Sequence, residues 1–207
     1  MKTAFPRLYA IVVPSRIGSG SLADICNFAR ELVAGGATLI QLREKHASAN
    51  QILRLARELR LRLPPEIRLI LNDRADLTVL AEADGVHVGQ DDIPPDAAAR
   101  IIGPNRMLGI STHTPEQVET AERTSADYVA IGPVFGTNSK ANLDPVIGLE
   151  GVRQARRITR KSLVAIGGVT LQNCRSVIDA GADSVAVISE LLADPRKTTA
   201  DFLLQMR

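Results

Sequence analysis

Tryptophan is absent from these 207 residues, and all aromatic side chains together make up only 3% of them. So few flat rings leave little for stacking on bases, which argues against a nucleic-acid partner. Charge of one sign is equally scarce. The 25 Lys and Arg face 23 Asp and Glu, a formal net charge of +2, and the basic residues are spread along the chain rather than clustered. No polyanion or anionic membrane surface is expected to bind such a chain. Cysteine occurs twice, at Cys26 and Cys174, without zinc-type spacing or a partner set, so neither a disulfide nor a thiolate metal site is implied. No stretch approaches the ~18 uninterrupted apolar residues of a membrane span, and the run from Leu8 to Val13 does not make a signal peptide. A cytoplasmic enzyme is the expectation.

What is present is regular. With 45% hydrophobic and 23% charged residues, the chain can bury the core of one domain over residues 1–207. Short apolar runs predict strands at Leu8 to Val13, Thr38 to Leu42, Leu69 to Leu71, Gly85 to Val88, Met107 to Ile110, Tyr128 to Ile131, Leu163 to Ile166 and Val185 to Ile188. Helical patterns lie between them, including Leu22 to Val33, Asn50 to Leu61, Pro115 to Arg123, Leu149 to Ile158 and Leu171 to Ala180. Strict β-α alternation means a parallel sheet, either closed or open and doubly wound. Eight units favour the closed (β/α)8 TIM barrel, because chemically useful residues follow nearly every strand instead of gathering at one switch point.

Those residues form clusters after strands two to eight: Arg43-Glu44-Lys45, Asn72-Asp73, Gln90-Asp91-Asp92, Ser111-Thr112, Thr137-Asn138-Ser139-Lys140, Gly167-Gly168 and Ile188-Ser189. In an extended segment alternate residues face one way, so Arg43 and Lys45 can address one anion, and Lys140 adds a cation from another strand. The bland alternative is a solvated surface ion-pair cluster. Asp73 and Asp92 follow neighbouring strands and can share a cation, for which magnesium suits one or two carboxylates with water and phosphate oxygens. Taken singly, each could equally cap a turn or helix. Whether Asp91 joins them is left open by the spacing. Gly167-Gly168 and Ile188-Ser189, after strands seven and eight, occupy positions where barrels often bind phosphate, and Thr170 is the expected cap of the following helix. His87, set between Val86 and Val88, reads as a core histidine rather than a catalytic one. No hydrolase triad or nucleophile elbow is visible, so the chemistry expected is electrostatic.

In order along the chain, Gln41-Leu42-Arg43-Glu44-Lys45, Asn72-Asp73-Arg74, Asp84-Gly85-Val86-His87-Val88-Gly89-Gln90, Gly109-Ile110-Ser111-Thr112-His113-Thr114, Gly132-Pro133-Val134-Phe135 and Ala165-Ile166-Gly167-Gly168 resemble the thiamine phosphate synthase family. The resemblance runs from about Leu8 to Leu192 and implies a (β/α)8 barrel. It implies a transferase that joins 4-amino-5-hydroxymethyl-2-methylpyrimidine diphosphate to 4-methyl-5-(2-hydroxyethyl)thiazole phosphate, giving thiamine monophosphate and diphosphate. By the same resemblance Gln41, Leu42, Arg43, Glu44, Lys45, Asn72, Ser111 and Lys140 would hold the pyrimidine diphosphate, with Arg43, Lys45, Ser111 and Lys140 as catalytic groups. Asp73 and Asp92 would bind Mg2+, and Thr137, Asn138, Ser139, Gly168, Ile188 and Ser189 the thiazole phosphate. Ser139 stands where family members commonly have threonine, keeping the hydroxyl.

Two rivals remain. A thiazole tautomerase of the same superfamily would share barrel and phosphate site without coupling, and a non-catalytic barrel would bind thiazole phosphate without turnover. Both carboxylates and three cations argue against the first, since a tautomerase has no diphosphate to neutralise. A homo-oligomer stays open.

Overall fold

The computed structural model describes residues 5–136 and 145–207. Eight parallel strands close into a barrel in sequence order: β1 (Leu8–Val12), β2 (Leu39–Leu42), β3 (Arg68–Asn72), β4 (Gly85–Val88), β5 (Met107–Thr112), β6 (Tyr128–Ile131), β7 (Ser162–Ile166) and β8 (Ser184–Val187). Eight helices alternate with them among the described residues: α1 (Leu22–Ala34), α2 (Ala49–Arg62), α3 (Ala75–Leu80), α4 (Pro95–Ile102), α5 (Pro115–Glu122), α6 (Gly148–Ile158), α7 (Cys174–Asp179) and α8 (Pro195–Gln205). Two 3-10 turns, Pro14–Arg16 and Ser189–Leu191, follow β1 and β8. No described helix is long and apolar enough to cross a membrane.

The two-residue period of a strand sorts the core into two layers. Leu8, Ala10 and Val12 of β1 point out toward the helices, with Ile40, Leu42, Leu69, Leu71, Val86 and Val88. Tyr9 and Ile11 point inward and meet Leu39, Ile70, Tyr128, Ala130, Val164 and Ala186 inside the barrel. Continuing the inward parity along β2, β3, β4 and β5 leads to Gln41, Asn72, His87 and Ser111, all of which face one cleft at the C-terminal mouth. Sequence periodicity thus carries polar side chains to the mouth once the apolar filling ends.

The opposite, N-terminal face is tied by a repeated device. Asp84, Asp127 and Asp183, each just before an even-numbered strand, accept hydrogen bonds from the backbone N–H of Leu69, Leu108 and Leu163 at 2.7, 2.8 and 2.8 Å. Arg60 and Arg156 hold the first and last of these carboxylates at 2.7 and 2.8 Å. The Asp84 that opens one of the family-like motifs therefore serves the fold, at the end of the barrel away from the cleft. Replacing Asp84 with Ala is expected to cost about 1.5–3 kcal/mol, the usual worth of charge-assisted bonds to a backbone donor. Thermal melting of the variant should fall while its kcat stays near that of the parent; a large loss of kcat at unchanged melting temperature would contradict this.

Strand and helix limits differ from the sequence expectation where local bonding intervenes. β5 runs two residues beyond Ile110 because Ser111 and Thr112 pair with Ala130 and Ile131. Thr170 does not cap a helix beginning at Leu171. Its N–H donates to Asn173 Oδ1 and its carbonyl accepts from Cys174 N, so residues 171–173 form turns and α7 begins at Cys174.

Candidate active site

All eight strands contribute to one cleft of about 420 Å³, with most of its polar lining at the ends of β2 to β5. It brings together Gln41, Arg43, Lys45, Asn72, Asp73, Asp92, Ser111 and Ile188 of the expected site residues. Leu42 and Glu44 fall on the other parity. Leu42 is buried in the layer under the helices, and Glu44 Oε1 accepts from the His46 N–H at 2.8 Å, so neither side chain lines the cleft. Thr137, Asn138, Ser139 and Lys140 lie outside the described residues.

Arg43 is half-buried, and desolvation lowers its pKa; the nearby Asp73 charge opposes that effect and Arg16 reinforces it. Arg16 sits in the turn after β1, and its Nη1 donates to Ser189 Oγ at 3.3 Å. It adds a cation to this mouth that the sequence reading did not include. Its signal was available: Pro14-Ser15-Arg16 follows β1 as the other clusters follow their strands.

Asp73 has a left-handed backbone, φ 65°, and its N–H donates to the His87 carbonyl at 2.8 Å, turning the chain at the end of β3. It caps no helix; Arg74 occupies that position. Burial, followed by the neighbouring Asp92 carboxylate, pushes Asp73 up to about 6, while Lys45 Nζ, 3.4 Å from its Oδ2, pulls the other way. Asp92 also accepts from the Gly89 N–H at 2.7 Å, which folds the β4 loop back toward the strand. Two carboxylates set close enough to disturb one another are a donor set that a hard divalent cation would relieve. Among the described residues no three His, Cys, Asp or Glu side chains are grouped to hold a metal, and Asp91 lies exposed at the cleft edge. Such a pair fits magnesium, which keeps water and phosphate oxygens in most of its coordination sphere. Asn72 contributes something different: its buried Nδ2 has no hydrogen-bond partner among the described residues, a donor awaiting an acceptor.

Gly167 and Gly168 both have positive φ, 99° and 61°. A Cβ on Gly167 would come within 2.6 Å of Pro133 Cα, and one on Gly168 within 2.6 Å of the Gly136 carbonyl oxygen. Their bareness lets the β6 loop lie against β7, where Val134 N–H and Phe135 N–H donate to Ile166 and Gly167 carbonyls at 2.9 and 3.0 Å. The pair therefore positions the segment that leads into 137–140. Because α7 begins at Cys174, Gly168 does not stand at a helix N-terminus as expected. His87 is buried with both ring nitrogens hydrogen-bonded, as expected of a satisfied core histidine, and it also lines the cleft between Tyr128 and Ser111.

A parallel barrel whose C-terminal mouth joins Arg43 and Lys45, a carboxylate pair and the ends of β7 and β8 defines a phosphate-handling (β/α)8-barrel enzyme. The comparisons with known proteins narrow that class. The sequence model of the thiamine monophosphate synthase family matches residues 8–191. A thiamine-phosphate synthase of Koribacter versatilis (strain Ellin345) is 58% identical over 199 residues, 96% of this chain and 94% of its own. Another, from Chloroflexus aurantiacus, is 45% identical over 169 residues, 81% of this chain and 78% of its own. The solved thiamine phosphate pyrophosphorylase from Pyrococcus furiosus has a TM-score of 0.86 and 33% identity, covering 97% of this chain and 95% of its own. The chain belongs to the thiamine monophosphate synthase family.

Proposed function

We propose that the enzyme transfers the (4-amino-2-methylpyrimidin-5-yl)methyl group of 4-amino-5-hydroxymethyl-2-methylpyrimidine diphosphate to the ring nitrogen of 4-methyl-5-(2-hydroxyethyl)thiazole phosphate, in the cytoplasm. The CH2–O bond breaks with its electron pair leaving on diphosphate, and the thiazole nitrogen supplies the pair for the new C–N bond. The observation that carries this reading is the conjunction, in one cleft, of Arg43 and Lys45 with the Asp73–Asp92 pair. A departing diphosphate needs neutralising charge and a fixed position more than it needs a strong base.

Arg43 and Lys45 meet the diphosphate oxygens, Asn72 Nδ2 donates to one of them, and Lys140 supplies a further cation. Gln41 and Ser111 hold the pyrimidine ring. Asp73 and Asp92 would hold Mg2+, which when bound supplies positive charge beside the leaving group. Thr137, Asn138, Ser139, Gly168, Ile188 and Ser189 are assigned to the thiazole phosphate. The two anions are thereby kept apart while the methylene carbon and the thiazole nitrogen approach.

Purified protein with magnesium and both substrates should form thiamine monophosphate, and should leave a thiazole carboxylate phosphate unchanged. Isomerisation of the latter without coupling would favour a tautomerase instead. The metal pair also carries a pH prediction. Asp73 titrates near 6, above the ordinary 3.8 of an aspartate, so its protonation stabilises the metal-free fold as pH falls through 6, and that contribution is lost as pH rises. Magnesium must displace this proton, so its apparent affinity should weaken by about tenfold per pH unit below 6. Calorimetric titrations at pH 5, 6 and 7.5 check this, and equal affinities across that range would contradict it.

A further inference from the structure

The barrel interior contains a hydrogen-bonded chain that diphosphate departure does not use. Gln41 Nε2 on β2 donates to the Tyr9 hydroxyl on β1 at 2.7 Å. The Tyr9 and Tyr128 hydroxyls are 2.8 Å apart, Tyr128 Oη is 3.1 Å from His87 Nδ1, and His87 Nε2 is 2.8 Å from Ser111 Oγ. Gln41 and Ser111, at its two ends, line the cleft; Tyr128, at its middle, is fully buried behind the wall. These are the protein's two tyrosines, and the fold makes room for the central one. A Cβ on Gly109 would lie 2.0 Å from Tyr128 Cζ, so β5 carries no side chain where that ring crosses it. Phe5 and Tyr9 pack on the same ring, with centroids at 5.1 and 5.8 Å.

The chain has a direction. An amide nitrogen only donates, so Tyr9 accepts from Gln41. Either tyrosine can donate to the other, and the sense that strands no buried phenol hydrogen has Tyr9 donating to Tyr128. In that sense Tyr128 donates to His87 Nδ1, which selects the imidazole tautomer carrying its hydrogen on Nε2 and donating to Ser111 Oγ. With the chain in this sense, the Ser111 hydrogen and Gln41 Oε1 are the two ends left over to meet a ligand. Burial pushes the pKa of both tyrosines up, so each phenol keeps the hydrogen that the relay requires.

We propose that this buried chain fixes the polarity of the pyrimidine subsite, presenting an acceptor at Gln41 and a donor at Ser111, with Tyr128 as a specificity-determining positioning residue that never touches substrate. The proposal rests on the coupling reading above. An aminopyrimidine offers an amine hydrogen to Gln41 Oε1 and a ring-nitrogen lone pair to the Ser111 hydroxyl. A 4-oxopyrimidine in its lactam form offers the reverse pattern, a carbonyl and a ring N–H. To accept it, every link would have to reverse together, because reversing one alone sets donor against donor or acceptor against acceptor. Removing the Tyr128 hydroxyl cuts the chain and lets each end turn independently.

The test is kcat/KM for the 4-amino and 4-oxo pyrimidine diphosphates, measured at saturating thiazole phosphate for the parent, Tyr128→Phe and Tyr9→Phe, with melting temperatures alongside. The parent should prefer the amino compound by at least about 100-fold, as sites built on buried hydrogen bonds do. Each Phe variant should narrow that ratio about tenfold, with the KM for thiazole phosphate unchanged, because one mispaired buried bond is then relieved. A merely structural role would lower the melting temperature and leave the ratio alone. An unchanged ratio in both variants, or a parent with no preference, overturns the proposal. If Tyr128→Phe does not fold, Tyr9→Phe cuts the adjoining link and decides the matter. A parent that couples neither compound removes the coupling reading itself; an active parent whose ratio survives both variants removes only the chain's role.

Discussion

Asp73→Asn should lower kcat for coupling by about 100- to 1000-fold, the range seen when a charge-stabilising group is removed at the developing charge. The substitution isolates the carboxylate. Asn matches the shape of Asp and tolerates the left-handed backbone found there, φ 65°, so the turn after β3 should survive. It also removes a carboxylate whose burial, followed by the like-charged Asp92 beside it, pushes it up to about 6. The melting temperature of the metal-free variant at pH 7.5 should therefore hold or rise while activity collapses and magnesium no longer stabilises the protein. Asp92→Ala is a less clean change, since it also removes the acceptor of the Gly89 N–H. Steady-state kinetics with magnesium titration, beside melting curves, read both parts. An Asp73→Asn enzyme with near-parental kcat would show that the pair does not hold the cation that matters.

Arg43→Met should be comparably damaging, by about 100-fold or more in kcat, and for a different reason. Arg43 is half-buried, and its guanidinium keeps its charge against desolvation with the help of Asp73. A methionine keeps much of the apolar stem, so packing at the end of β2 changes little, while the two-pronged donor for phosphate oxygens is lost. Arg43→Lys should recover only part of the rate, because an ammonium cannot offer the same paired donors. Product inhibition by inorganic diphosphate gives an independent reading: its Ki should rise in Arg43→Met, whereas the KM for thiazole phosphate should move little. A variant with weakened thiazole phosphate binding and normal diphosphate inhibition would place Arg43 at the wrong anion.

Much of this site can be read along the chain because a barrel strand spends its residues with period two. Once Leu39 is assigned inward, Gln41, Arg43 and Lys45 follow by parity, and the same counting places Ser111. The parity also separates Leu42 and Glu44 from the cleft, a distinction that a contiguous motif conceals. Less legible were features set by contacts between distant strands. Tyr9 reads as an apolar strand residue until Tyr128, 119 positions later, is brought to its hydroxyl. The position of His87 between Val86 and Val88 predicts a satisfied core histidine, and it is one; its bond to Ser111 at the cleft wall depends on a neighbouring strand that the local sequence does not show. The start of α7 moved because the Asn173 side chain competes for the Thr170 N–H, a local choice that propensity does not resolve. Gly167-Gly168 was noticed for its place after β7, but its bareness answers to Pro133 and Gly136 on the neighbouring loop.

The most direct test of the account follows both products in one reaction. With pyrimidine diphosphate, thiazole phosphate and magnesium, inorganic diphosphate and thiamine monophosphate should accumulate in equal amounts, and chelating the metal should stop both. Diphosphate released without thiamine monophosphate, or no product from folded protein at any magnesium concentration, would contradict it.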